Sequence, residues 1–151
     1  LVEIADSGVP RELGDHEFAV LLTEFPVGLD AYLAGTPAAV RTRTLADLIA
    51  FNRERAAEQM PWFGQELFEQ AEATKGLDDS AYRRARETAR RLAGPEGIDR
   101  LLREHRVAML VAPTLGPAWL TDLVNGDQYG GPSSSQLAAV AGYPHVTVPM
   151  G

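Results

Sequence analysis

An unbroken apolar run, Val107-Ala-Met-Leu-Val-Ala112, follows a series of amphipathic helical segments and is closed by Pro113. After a helix, such a run has the pattern of a strand buried on both faces, as in a parallel sheet. A strand of that kind needs neighbours on either side, and this chain offers few. His145-Val-Thr-Val148 reads as another strand and Leu1-Val-Glu-Ile4 as the tail of one more. So few buried strands leave a sheet with uncovered edges. The pattern predicts a helix-rich α/β fragment with a few strands of a larger sheet, whose remaining strands lie outside these 151 residues. The ends agree with that expectation, since the chain opens on Leu1 and stops at Gly151, straight after an apolar run. Unpaired strand edges and apolar surface also predict self-association.

The helical segments are read from spacing. Phe18, Leu21, Leu22, Phe25, Leu29, Tyr32 and Leu33 fall on one helix face, with Asp15 as N-cap and Gly35 and Pro37 ending the segment. Pro26 predicts a bend near Leu22. Thr44-Leu-Ala-Asp47 is an acidic capping box that opens a helix to about Gln59, with Leu45, Leu48, Ile49 and Ala56 as its buried stripe. Pro61 marks the first turn of a third helix, with Phe63, Leu67, Phe68 and Ala71 inward and Gly76 as terminator. Asp78 or Asp79 caps a fourth helix ending at Gly94. Pro95 starts a fifth, with Ile98, Leu101 and Leu102 inward. Residues 113–132 have no periodicity and are rich in Gly and Pro, a length of loop that is uncommon unless functional or disordered. Ser133 to Gly142 reads as a short helix.

Composition excludes several functions. With no cysteine there is no disulfide framework, thiolate metal site or Cys nucleophile. The 3 histidines, His16, His105 and His145, are scattered, so no metal or cofactor site is expected. A net charge of −7 argues against nucleic acid as a partner. No apolar run is long enough to span a membrane; localisation stays unknown with a cytoplasmic place favoured, because a chain expected to lack its true N-terminus says little through the absence of a leader.

Three segments invite a chemical reading. Gly130-Gly-Pro-Ser-Ser-Ser135 could present backbone N–H groups to an anion or supply a serine nucleophile, but Ser133 or Ser134 capping the following helix explains it better. No base accompanies the serines, and the only histidine nearby in sequence is His145. The arginines Arg83, Arg84, Arg86, Arg90, Arg91, Arg100, Arg103 and Arg106 suit an acidic partner. Interleaved Glu87, Glu96, Asp99 and Glu104, with Glu96 and Arg100 at i,i+4, favour a solvated face instead. The loop Trp119-Leu-Thr-Asp-Leu-Val-Asn-Gly-Asp127 places an aromatic, an Asn and two carboxylates after the predicted buried strand. Ligands bind at the carboxyl ends of strands in α/β sheets, so Trp119, Asp122, Asn125 and Asp127 are candidate substrate-binding residues. An Asx turn at Asp127–Gly126 is the competing structural explanation.

Several segments in one order resemble the amidase signature family. They are Glu24-Phe-Pro-Val-Gly-Leu-Asp-Ala-Tyr-Leu33, Arg43-Thr-Leu-Ala-Asp-Leu-Ile-Ala-Phe-Asn52, Phe63-Gly-Gln-Glu-Leu-Phe68, Leu92-Ala-Gly-Pro-Glu-Gly-Ile98, Leu110-Val-Ala-Pro-Thr114 and Ala139 through Gly151. The likeness covers essentially the whole chain and is greatest to bacterial amidases of the peptide-amidase type. Pro26 departs from the family's usual helix-compatible residue. The resemblance implies a larger α/β enzyme with a central mixed sheet wrapped by helices, of which residues 1–151 are the C-terminal part of a single amidase-signature domain, with the N-terminal catalytic part absent. It also implies hydrolysis of a small-molecule or peptide carboxamide by a Ser–cis-Ser–Lys set. Neither the Gly/Ser-rich signature nor the lysine-bearing segment is present, so no catalytic residue carries over. Lys75, the only lysine, lies in a helix-terminating Thr-Lys-Gly turn. A lysine works as a base where burial or a neighbouring cation favours its neutral form, and such a turn supplies neither. The chain alone is expected to be inactive. The rivals are a self-sufficient serine hydrolase using Ser134 or a neighbour, and a non-enzymatic interaction domain using the Arg-rich helices 83–106.

Overall fold

The computed structural model describes residues 1–128, 130 and 133–149. Its helices are α1 (Glu12–Ala34), α2 (Leu45–Glu54), α3 (Ala56–Gln59), α4 (Glu66–Glu72), α5 (Ser80–Ala93), α6 (Asp99–His105) and α7 (Gln136–Ala141), with a π-helical turn, Gly94–Ile98, joining α5 to α6. The described residues divide into two compact units, Glu17–Arg86 on one hand and Leu1–His16 with Glu87–Gly151 on the other. Each is taken by itself below.

The expected α/β character is corrected by this structure, because the described residues form no strand. The segments 107–112 and 145–148 make no backbone ladder, and Ala108 lies at a bend. Their apolar side chains stand in solvent, with Met109 71%, Val111 83% and Val146 83% exposed. Apolar patterning marks a segment that suits burial, whereas a strand exists only when a neighbour accepts and donates its backbone hydrogen bonds. Leu1–Ile4 is likewise no strand.

In the Glu17–Arg86 unit, Leu45, Ile49 and Ala71 are buried together, and Leu22, Leu29 and Phe68 pack against them. Phe25 stacks on Phe68 with ring centroids 5.5 Å apart. The long apolar face expected for α1 is only partly used. Leu33 is buried, while Phe18, Leu21, Phe25 and Tyr32 remain exposed. Helix α1 also begins at Glu12, ahead of the expected Asp15 cap, through tight bonds from the Leu13 N–H to the Pro10 carbonyl and from the Gly14 N–H to that of Arg11. It runs through Pro26 as a continuous helix.

The capping box forms as expected: the Thr44 hydroxyl accepts from the Asp47 N–H, and Asp47 Oδ2 accepts from the Thr44 N–H at 3.1 Å. Asp47 also takes the Arg43 N–H at 2.8 Å. That bond, ahead of those from Thr44, holds its carboxyl below the usual range. The next donor, the Leu45 N–H, goes to Asp30 of α1 at 2.8 Å. Helix α2 stops at Glu54, short of the expected Gln59, where Arg55 leaves helical geometry and lays its guanidinium 5.0 Å over the Phe51 ring. Ala56, expected in the stripe, is exposed. Helix α4 starts at Glu66 rather than near Pro61, so Phe63 and Leu67 are exposed instead of inward. Gln65 explains the late start. It accepts from Asn52 Nδ2 at 3.1 Å and donates to the Ile49 carbonyl at 3.2 Å, which binds the approach to α4 onto α2.

Arg43 closes the end of α1. Its Nη1 donates to the Leu33 carbonyl at 2.8 Å, the Thr36 carbonyl at 2.9 Å and the Thr36 hydroxyl at 2.7 Å, and its Nη2 to the Pro37 carbonyl at 3.0 Å. A cation there adds charge-assisted bonds at the negative end of the helix dipole, although the Leu33 and Pro37 carbonyls also accept the Thr36 and Val40 N–H groups. Replacing Arg43 with Met is expected to lower stability by about 2 kcal/mol, the scale of charge-assisted bonds lost. Lys is expected to restore only part, since a point ammonium lacks the planar fork. Equal urea midpoints for the Arg and Lys proteins would contradict this role.

The other unit has its own core of Leu13, Ala89, Leu92 and Ala93, against which Val9, Leu137, Val140 and Ala141 pack. The break expected between a fourth and a fifth helix is instead the π turn. Pro95 has no N–H for the helical ladder and its ring crowds the carbonyl one turn back, so the helix widens and continues, with the Asp99 N–H reaching the Gly94 carbonyl. Gly94 and Gly97, both buried, let α7 approach. Tyr143 donates to Asp99 at 2.9 Å, a bond that pushes its own hydroxyl's pKa up.

Candidate functional site

The loop 119–127 is built around Asp122. Its Oδ1 accepts the N–H groups of Val124 and Asn125, each at 2.9 Å, and its Oδ2 accepts Asn125 Nδ2 at 2.8 Å. Its carbonyl takes the Gly126 N–H at 3.0 Å, and Gly126 sits at φ +78°. These bonds make an Asx turn, centred on Asp122 rather than on the Asp127 expected from the Asn-Gly-Asp order. The Asn125 N–H, then its side-chain amide and the Val124 N–H, hold the Asp122 carboxyl below the usual carboxylate range. The Trp119 indole N–H donates to Asp127 Oδ1 at 3.3 Å. Thus the sequence-selected residues pair as Asp122 with Asn125 and Trp119 with Asp127.

Around these pairs the loop presents Leu120, Leu123 and Val124 to solvent. An aromatic ring beside a carboxylate and a carboxamide can hold an apolar group while hydrogen-bonding an amide. Spacing rules did not single out Thr114. Its carbonyl accepts the Ser134 N–H at 3.2 Å and its hydroxyl lies 3.3 Å from that of Thr147. The first contact joins Thr114 to Ser134 and the second joins Thr114 to the 145–148 segment, and separations of 20 and 33 residues leave no local signal.

Gly131 and Pro132 lie outside the described residues, as do Met150 and Gly151. Ser135, not Ser133 or Ser134, is the N-cap of α7, and its side chain makes no capping bond. Among the described residues no hydrogen bond joins Ser133, Ser134 or Ser135 to His145, which is exposed. Lys75 is exposed beyond the end of α4, beside Gly76 at φ +78°.

The arginine-rich helices are laced with their own carboxylates. Arg83 pairs with Asp78 at 2.6 Å, Arg91 with Glu96, and Arg100 with Glu104 at 2.9 Å. Arg100 also donates to the Glu96 and Ser7 carbonyls, so the expected Glu96–Arg100 pair is a contact to the backbone. Asp79, of the two candidate caps, accepts the Ala81 N–H at 3.2 Å. The Tyr82 hydroxyl donates to Glu24 at 2.5 Å, a bond that raises its pKa. A shallow groove of about 290 Å³ beside Ile49 is rimmed by Arg53 and Glu69, which already pair at 2.8 Å. Among the described residues no group of three His, Cys, Asp or Glu could hold a metal ion. No helix among them is long and apolar enough to cross a membrane.

No known protein-family profile matches the chain. It is 35% identical over 139 residues to a probable amidase of Arabidopsis thaliana, covering 89% of this chain and 23% of that protein. Among solved structures it resembles the native peptide amidase from Stenotrophomonas maltophilia, at 45% identity and TM-score 0.76 over 93% of this chain and 27% of that one. It also resembles the peptide amidase PAM in complex with the competitive inhibitor chymostatin, at 48% identity and TM-score 0.78 over 86% of this chain and 26% of that one.

Proposed function

This chain is a relative of the amidases that spans about a quarter of their length, and from that premise we propose that the whole protein hydrolyses carboxamides. The reading assigns residues 1–151 to the C-terminal part of one amidase-signature domain, with the catalytic part supplied by other sequence. Peptide amides are the substrate class, a choice that rests on the 45–48% identity to peptide amidases. In this reading the chain contributes scaffold and one wall of the substrate pocket. Trp119 packs against an apolar part of the substrate, while Asn125 and Asp127 hydrogen-bond its amide groups, held in place by Asp122 and by the Trp119–Asp127 bond.

Amide hydrolysis needs an activated nucleophile and donors for the developing oxyanion. Ser133, Ser134 and Ser135 have no hydrogen-bonded base among the described residues. The purified chain is therefore expected to release no ammonia from a peptide amide. Turnover by the chain alone that disappears on changing one of those serines to Ala would overturn this and establish the serine-hydrolase rival. The pocket assignment has its own test. In an amidase containing this segment, Trp119→Ala is expected to lower kcat/KM for a peptide amide by roughly tenfold, the scale of one aromatic contact. An unchanged kcat/KM would remove Trp119 from the pocket.

A further inference from the structure

Asn125 is followed by Gly126 and lies exposed in the loop, and its backbone N–H, its side-chain amide and the Gly126 N–H all donate to a single residue, Asp122. An asparagine before glycine is open to attack by the following backbone nitrogen, because glycine has no side chain to hinder the approach. We propose that Asn125–Gly126 is a site of spontaneous deamidation that the hydrogen bonds of Asp122 hold shut. In the reaction the Gly126 nitrogen bonds to Asn125 Cγ and the Cγ–Nδ2 bond breaks. The Gly126 amide proton leaves with Nδ2 as ammonia, and a five-membered succinimide remains. Water then adds to either of its carbonyls and gives aspartate or isoaspartate.

The geometry opposes each part of that step. The Gly126 N–H is donated to the Asp122 carbonyl at 3.0 Å, which disfavours the deprotonated, nucleophilic nitrogen. The leaving amide is fixed to Asp122 Oδ2 at 2.8 Å, and the Asn125 N–H to Oδ1 at 2.9 Å, so the side chain cannot swing toward its own following nitrogen. The closure is also one-way. Once Asn125 is a carboxylate, the donor facing Asp122 Oδ2 is gone and two like charges meet across the turn, so the loop opens. The chain carries its own control. Asn52, the other asparagine, is followed by Arg53, lies within α2 and donates to Gln65 at 3.1 Å. This proposal does not rest on the amidase reading.

The test is peptide mapping by mass spectrometry of the purified chain during incubation at mildly alkaline pH. Conversion is expected at Asn125 and not at Asn52, slow in the wild type and about tenfold faster in Asp122→Ala, the factor set by losing bonds to a charged acceptor. Asp122→Asn, which keeps an acceptor oxygen, is expected to fall between them. In urea the wild type is expected to match or exceed the Asp122→Ala rate, and Asn125→Gln to abolish the signal. Equal wild-type rates at Asn125 in buffer and in urea, or a rate that Asp122→Ala leaves unchanged, overturn the proposal.

Discussion

Leu45→Ala is expected to cost the Glu17–Arg86 unit about 2–5 kcal/mol, the range for emptying a well-packed leucine site. Leu45 is completely buried and shares its core with Ile49 and Ala71. The neighbours cannot easily collapse into the space, because the Leu45 backbone is itself held by Asp30 and the box around it by Thr44 and Asp47. Ile49→Val, which removes one methyl from the same cluster, is expected to cost about 1 kcal/mol. Amide hydrogen exchange across α2 and α4 reads both, since local protection falls with the unit's own opening free energy. A loss below about 1 kcal/mol for Leu45→Ala would mean that this cluster is not the unit's core.

The second large effect has a sign opposite to ordinary helix chemistry. Glycine to alanine inside an exposed helix stabilises by about 1 kcal/mol. Gly97→Ala is expected to destabilise by about 1–3 kcal/mol, the range for overpacking. A Cβ there would lie 2.7 Å from the Leu92 carbonyl oxygen and 3.5 Å from Leu137 Cδ2. The carbonyl is α5 backbone and cannot rotate aside, so the π turn itself must shift, while Leu137 of α7 stays at ordinary contact distance. Gly28, inside α1, is the contrast: nothing lies within 4 Å of the position of its Cβ, and Gly28→Ala is expected to stabilise. Urea midpoints that move in the same direction for both substitutions would refute the close-approach role of Gly97.

Local signals were legible wherever the physics is local. The capping box at Thr44–Asp47 needs only residues three apart, and it forms as read. Gly142 ends α7 at φ +75°, the left-handed geometry that glycine tolerates. The loop residues Trp119, Asp122, Asn125 and Asp127 were recognised by type, yet which carboxylate anchors the turn was not. Asp122 and Asp127 flank Asn125–Gly126, and only the fold of the loop chooses between them. Pro95 was read as a helix start, the usual meaning of proline after glycine. Here the flanking Gly94 and Gly97 leave room for a widened turn, so the helix survives.

The strand reading failed for a different reason. Val107–Ala112 and His145–Val148 carry the apolar pattern of buried strands, but pattern describes what a side chain prefers, not which backbone it pairs with. Among the described residues no neighbour supplies the ladder, and most of the apolar side chains of these segments stay exposed. The segments that resemble the amidase signature family include the residues that hold backbone in place: Arg43 on the end of α1, Asn52 and Gln65 between α2 and α4, and Gly97 in the π turn.

By itself the sequence determined the approximate positions of most helices, the Thr44–Asp47 capping box and the likeness to amidases, because each is written in spacings of a few residues or in residue order. The tertiary structure alone decided that the apolar runs are unpaired, that Arg43 serves four carbonyl and hydroxyl acceptors near the end of α1, that Asp122 governs the candidate loop, and that Gly97 admits no side chain. Those outcomes depend on which distant groups come within reach, and hydrogen bonding and close packing are set by that distance rather than by separation along the chain.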